Sequence, residues 1–259
     1  MVIWKRNYYG WWDAYNENGE KFVIPSVSKV LEMKEDPELE NWIKEIGEEK
    51  AQQIMKLAAD RGIVFHTFLE NFYGTLKLKG DPKKALLYTQ KKSLEKIKKQ
   101  NISEKQIKTG RILFYQLLEE FTSRSEIYKI INLERKIVDF QLAYRGAFDI
   151  NYFTKTNDGI KNVIADFKAS SKCIEKNSVK ERKYKLQLAA YWNAYEKLFN
   201  RKLDFAKIWV STREENIQEI KIDRDEYEEI FKEFFELLKS FHEKQNQNFE
   251  IFKVYKIIN

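Results

Sequence analysis

The chain has 259 residues, 43% of them hydrophobic and 34% charged, with a net charge of +7 and a single cysteine. That length suits one large domain, or one domain carrying an insertion, with enough apolar material for a real core. No run of 18 apolar residues occurs, which excludes a helical membrane span. Met1 to Arg6 lack the order of a secretory signal, so a cytoplasmic, reducing location is expected. Cys173 alone can form no internal disulfide, no zinc site and no iron–sulfur cluster.

In chain order, residues 8–24 are rich in aromatic residues around Asn18-Gly19 and predict a β-hairpin within an N-terminal region spanning 1–25. Tyr8, Tyr9, Trp11 and Trp12 are expected to be packing residues. Pro25-Ser26 opens a helix with Ser26 as N-cap, ending near Glu32 and Lys34. Helical patterning follows over 38–79, with breaks expected near Gly47 and Gly62. It resumes over 82–122, where Ile107, Leu113, Phe114, Leu117 and Leu118 mark an apolar face. From residue 126 the character changes to strands at 127–138, 141–153 and 160–168, the last two separated by Asn157-Asp158-Gly159. A helix at 178–199, strands at 205–212 and 217–222 and a helix at 224–244 complete an α/β core with a helical N-terminal half. No repeat and no long linker divides the chain, so a single domain over 1–259 is expected.

Charge is concentrated. Between Lys77 and Arg111 stand twelve basic residues against three acidic ones, a net of +9, which leaves −2 for the rest of the chain. A lysine-rich solvated helix and a surface for a polyanion both fit this pattern.

The residues that carry chemistry lie on the strands. In Val163-Ile164-Ala165-Asp166-Phe167-Lys168 alternate side chains share a face, so Val163, Ala165 and Phe167 face a core while Asp166 and Lys168 stand together on the other side. Acid-x-Lys triplets are common in this chain, others beginning at Glu48, Asp81, Glu134, Glu181 and Glu219, so only the strand context distinguishes this one. The preceding strand carries Asp149 opposite Phe148, Ile150 and Tyr152, after a Gly146 that would permit a bend or close backbone approach. Paired as a hairpin, the two strands bring Asp149 and Asp166 together, and two carboxylates in one place are tolerable around a divalent cation. His66 and Glu70 are four apart on one helix face, as are Gln187 and Tyr191 on the helix after the Asp166 strand.

Taken in order, Gly62-x3-His66-x3-Glu70, Gly146-x2-Asp149, Asp166-x-Lys168-x-Ser170 and Gln187-x3-Tyr191 resemble the RecB-like branch of the PD-(D/E)XK nuclease superfamily. Pro25 to Leu31 and Ala58 to Gly62 are similar, more narrowly, to the mitochondrial genome maintenance exonucleases and their phage relatives. The resemblance covers about residues 25–212 and implies a restriction-endonuclease-like core, a mixed sheet flanked by helices. It implies Asp149, Asp166 and Lys168 as catalytic residues. His66, Asp149, Asp166 and the backbone carbonyl of Phe167 would be ligands of Mg²⁺ or Mn²⁺. Gln187, Tyr191 and Ser170 would contact substrate, and Glu70 would be an accessory residue. Glu134 stands open between an accessory acid and a surface one. The basic segment 74–125 becomes an insertion over the active site, and the implied partner is DNA, single-stranded by preference. The activity implied is metal-dependent exonucleolytic hydrolysis in replication, recombination or repair, viral or cellular. An endonuclease on duplex or branched DNA and a non-catalytic DNA-binding module are the alternatives.

Overall fold

The apolar runs between residues 127 and 223 build one mixed sheet in a computed structural model that describes residues 1–214 and 216–258. Its strands are β3 (Lys129–Asp139), β4 (Tyr144–Thr156), β5 (Gly159–Ser170), β6 (Phe205–Thr212) and β7 (Ile217–Asp223), adjacent in that order. β5 and β6 run parallel and every other neighbouring pair is antiparallel. A two-residue connection, Asn157-Asp158, joins β4 to β5, with Gly159 at φ +105° where a side chain would be strained. The parallel pair needs a crossover, and the helix α6 (Val179–Phe199) supplies it.

Helices cover both faces. On one side α6 packs with α1 (Val27–Leu31) and α7 (Arg224–Lys244), burying Val30, Leu188, Trp192 and Phe234 against Tyr144, Ile164 and Ile208 of the sheet. On the other lie α3 (Glu48–Lys79), α4 (Pro82–Ile97) and α5 (Glu104–Arg124), whose Phe68, Phe72 and Phe114 close over Val163, Phe167 and Trp209. Val163, Ala165 and Phe167 share one cluster and Ile164 sits in the other, the alternation expected for β5. The short helix α2 (Pro37–Ile46) precedes α3. Helix starts follow local chemistry. Ser26 accepts from Lys29 N, Ser178 from Glu181 N, and Asp36 and Asp81 cap helices that have proline in the first turn.

Four expectations are corrected. Gly47 ends a helix but Gly62 does not: α3 runs unbroken for 32 residues. A mid-helix glycine costs about 0.5–1 kcal/mol, while each buried phenylalanine in the following turns, Phe65, Phe68 and Phe72, contributes about 1.5–3 kcal/mol. The regular hairpin also lies further upstream. Its strands are β1 (Val2–Arg6) and β2 (Trp12–Tyr15), and its tip is Asn7 to Trp11. Asn18-Gly19 forms the expected tight turn, closed by a Tyr15–Lys21 bridge with Asn16 N donating to Glu20 O at 2.9 Å and Phe22 N to Ala14 O at 2.8 Å. Asn7 sets the upstream tip: its N–H donates to Trp11 O at 2.7 Å, its Oδ1 accepts from Trp11 N at 3.0 Å, and Gly10 turns at φ +75°. A strand near the C-terminus, β8 (Tyr255–Ile258), adds in parallel to β1. Third, Tyr8 and Tyr9 pack only edge to face on each other, at 5.4 Å, and not into a core; they are 97% and 74% exposed. Fourth, Phe148, Ile150 and Tyr152 do not share one face. Phe148 packs on Tyr195 of α6, whereas Ile150 and Tyr152 join the cluster beneath α3 and α5. The switch falls at Asp149.

Candidate active site

β4 and β5 stay paired from Thr156/Gly159 to Ile150/Ala165, and the same register places Asp149 opposite Asp166 just beyond the last pair. The N–H of Phe167 donates instead to Asp149 Oδ2 at 2.6 Å, so the side chain of Asp149 occupies the opening between the strands. On the other flank, β3 pairs Leu133 with Ile150 and Arg135 with Phe148, which sets Glu134 across from Asp149. Glu134 holds φ +44°, an unusual conformation for a residue with a side chain, costing about 1–3 kcal/mol. α3 brings His66 in from the side, its Nδ1 3.6 Å from Asp149 Oδ1. Ligand atoms of His66, Glu134 and Asp149 lie within 4.8 Å of one another, close enough to share one cation. An imidazole nitrogen with carboxylate oxygens suits a hard or borderline divalent ion.

Electrostatics reinforce that fit. Burial, with Asp166 beside it, pushes Asp149 up to about 6, against the pull of His66, Lys168 and the Phe167 N–H. Glu134, exposed at the edge of the site, is raised above its ordinary value by partial desolvation and by the charges of Asp149, Glu70 and Asp166, with Lys96 opposing. Carboxylates that resist ionisation because they crowd one another are the groups a cation would relieve.

Lys168 stands next to this cluster. Its Nζ lies 2.6 Å from Asp166 Oδ2 and donates to Gln187 Oε1 at 2.7 Å, while Gln187 Nε2 donates to the Tyr191 hydroxyl at 2.9 Å. The ring of Tyr184 covers the ammonium at 4.7 Å. Burial works against the charge, but Asp166, Tyr184 and Asp149 outweigh it and hold Lys168 above its ordinary value. Gly146 makes room for the far end of this chain: a Cβ there would overlap Cε1 of the Tyr191 ring. Gly146→Ala is therefore expected to destabilise the protein by about 1–3 kcal/mol. Tyr191→Leu in the same chain should recover part of that loss, as a double-mutant cycle in urea would measure.

His66, Asp149, Asp166, Lys168, Gln187 and Tyr191 thus lie together, while Glu70 and Ser170 are engaged at the margins of the site. Asp166 turns toward Lys168 rather than joining the His66, Glu134 and Asp149 group. Glu70 pairs with Lys96 of α4 at 2.8 Å. Ser170 is buried at the end of β5 and accepts from Lys180 Nζ at 3.4 Å. Sequence reasoning left Glu134 undecided and missed Tyr184. Glu134 had a usable signal, because a β3–β4 hairpin turning between Gln141 and Leu142 puts it opposite Asp149.

A five-stranded mixed sheet between two helical layers, with an acidic cluster able to hold a cation where the β4–β5 pair parts, is the architecture of a metal-using nuclease core. The family model described as the PD-(D/E)XK nuclease superfamily matches residues 39–251, and the chain belongs to that superfamily. A crystal structure of a candidate exonuclease from Eubacterium rectale is similar over 61% of this chain and 64% of its own, at 13% identity and a TM-score of 0.43. The structure of SSO0001 is similar over 71% of this chain and 75% of its own, at 15% identity and a TM-score of 0.32. No curated protein matches the sequence. Among the described residues no helix is long and apolar enough to cross a membrane.

Proposed function

We propose that this chain is a DNA exonuclease dependent on Mg²⁺ or Mn²⁺, acting by preference on single strands in replication, recombination or repair. The observation that carries this reading is the meeting of His66, Glu134, Asp149, Asp166 and Lys168 at the mouth of the β4–β5 pair. The exonuclease assignment within the superfamily rests on the order of the motifs, from Gly62-x3-His66 to Gln187-x3-Tyr191, which resembles the RecB-like branch.

His66, Glu134, Asp149 and Asp166, with the carbonyl of Phe167, would hold the ion. When bound, such an ion makes water more acidic and polarises a phosphoryl oxygen. Lys168 presents a fixed positive charge beside Asp166, oriented by Gln187 and sheltered by Tyr184, so it can meet a nucleophilic water and the charge that builds on the phosphate. Tyr191 anchors Gln187 and so fixes the ammonium indirectly.

Cations crowd the far end of β5. Burial and Arg213 hold Arg61 below its ordinary value, and burial with Lys172 and Lys168 does the same to Lys180. Like charges pressed together beside Ser170 favour a polyanion that separates them. In the same reading the basic segment 74–125 overhangs the cleft: α4 carries exposed Lys83, Lys84, Lys91 and Lys92, and its Lys96 reaches Glu70, one turn beyond His66.

The test is degradation of end-labelled linear single-stranded DNA beside a circular control, with Mg²⁺, Mn²⁺ or EDTA. Loss of linear DNA alone, only with metal, is the expected result. Cutting of circles would make the chain an endonuclease on the same centre, and no cleavage of any DNA under either metal would leave a binding module.

A further inference from the structure

Tyr8 and Tyr9 are the most exposed aromatic side chains described, yet the turn that carries them is tightly held. Asn7 and Trp11 close it through backbone and side-chain hydrogen bonds, Asn7 Nδ2 donates to Asp13 Oδ2 at 3.0 Å, and Lys136 Nζ donates to the carbonyl of Tyr9. A rigid loop that pays solvent exposure for two aromatic rings is unlike a packing device and like a recognition surface.

The surroundings show what it would recognise. A groove of about 390 Å³ runs beneath the tip, between the hairpin and the end of α6, floored by Leu133 to Lys136 of β3. Arg6, Arg135 and Lys136 line it, and among the described residues none of the three pairs with a carboxylate. The single acid in its lining is Glu134, the same residue that meets His66 and Asp149. The groove therefore meets the candidate active site at Glu134, and its other charged lining residues are all basic. Arg6 donates to the Gly10 carbonyl, Lys136 also lies over the Trp11 ring and Arg135 over Phe199, so the cations are positioned without being neutralised. Aromatic faces beside such charges suit unstacked bases on a phosphate backbone. A duplex keeps its interior bases stacked and offers an aromatic ring a base face only at its ends.

Resting on the nuclease reading above, we propose that the Asn7–Trp11 tip is a base-stacking platform for single-stranded DNA. Tyr8 and Tyr9 receive bases of the strand that extends from the active site, while Arg6, Arg135 and Lys136 hold its phosphates. The platform makes the preference for single strands a property of the N-terminal hairpin, separate from the catalytic cluster.

The experiment compares the full chain with a Tyr8→Ala/Tyr9→Ala variant. Both positions are too exposed for the substitution to disturb the core. Fluorescence anisotropy in EDTA would measure affinity for a single-stranded oligonucleotide of about 20 nucleotides, longer than the usual footprint, and for the matching duplex. In parallel, Mn²⁺-dependent hydrolysis of the p-nitrophenyl ester of thymidine 5′-monophosphate would report on a substrate too short to reach the hairpin. The double variant is expected to bind the single strand roughly 10- to 100-fold more weakly, as loss of one or two stacked bases implies. Ester hydrolysis should be unchanged, and Tyr8→Phe/Tyr9→Phe should keep the affinity because it keeps the rings. Single-strand binding within twofold of the parent, or an equal loss toward duplex, would overturn the platform. Failure of the parent chain to hydrolyse the ester would instead count against the nuclease reading, and the anisotropy result would still decide the platform.

Discussion

Lys168→Ala is expected to slow DNA cleavage by roughly a thousandfold while leaving affinity for Mn²⁺ intact or higher. The two effects separate because of where the ammonium sits. Its Nζ is 2.6 Å from Asp166 Oδ2, so in the metal-free protein it neutralises a carboxylate that a cation would otherwise use. Removing it frees that oxygen and makes the cluster more negative, which favours a divalent ion. The same removal takes away the one positive charge that Gln187, Tyr184 and Asp166 hold in a fixed position beside the cluster. Lys168→Arg should restore little, since a planar guanidinium cannot replace a compact ammonium between Asp166 and Gln187. Titration calorimetry with Mn²⁺ and single-turnover cleavage of labelled DNA measure the two quantities independently. A parallel loss of metal affinity and cleavage would show that Lys168 only maintains the structure of the site.

Much of this arrangement is legible in the amino-acid sequence. Periodicity alone located α6 and α7, and the run of β-branched and aromatic residues located β6, because each element buries a face that its own sequence must supply. The Asp166–Lys168 and Gln187–Tyr191 pairs were readable for the same local reason: positions i and i+2 on a strand, or i and i+4 on a helix, must be neighbours. What failed depended on distant partners. β1 pairs in parallel with β8 from the far end of the chain, and nothing in either segment declares the other. The tip of the β1–β2 hairpin is set by the side chain of Asn7 against Asp13 and Trp11, contacts that residue patterning does not announce as Asn18-Gly19 announces its own turn. Glu134 required both the β3–β4 register and a backbone conformation that propensity assigns to glycine. Tyr184 covers Lys168 from a helix whose amphipathic pattern explains that tyrosine equally well as packing.

The acidic cluster carries a second, thermodynamic consequence. Asp149→Asn should abolish cleavage and, in EDTA at pH 8, raise the melting temperature above that of the parent chain. Asp149 has a folded-state value near 6 against an ordinary 3.8, so between these limits the folded protein binds more protons than the unfolded chain. Stability therefore falls as pH rises from about 4 to 6 and stays lowered above that window; acid restores it. Glu134 is raised as well and adds to the decline in the same direction, but less, because its exposure lets solvent screen the repulsion. A shift of about two pH units corresponds to at most about 3 kcal/mol, and the coupling of Asp149 to its neighbours reduces the gain from asparagine to about 1–2 kcal/mol. For a chain of this size that is a rise of roughly 2–8 °C. Saturating Mn²⁺ should close or reverse the gap, because the parent gains binding free energy that the variant has forfeited. Differential scanning calorimetry at pH 4 and pH 8, with EDTA and with Mn²⁺, measures all four conditions. A variant less stable than its parent at pH 8 in EDTA would mean that the Asp149 carboxylate is stabilised by His66 and the Phe167 N–H more than it is strained by Asp166. The site would then be a neutralised structural cluster rather than one held ready for a cation.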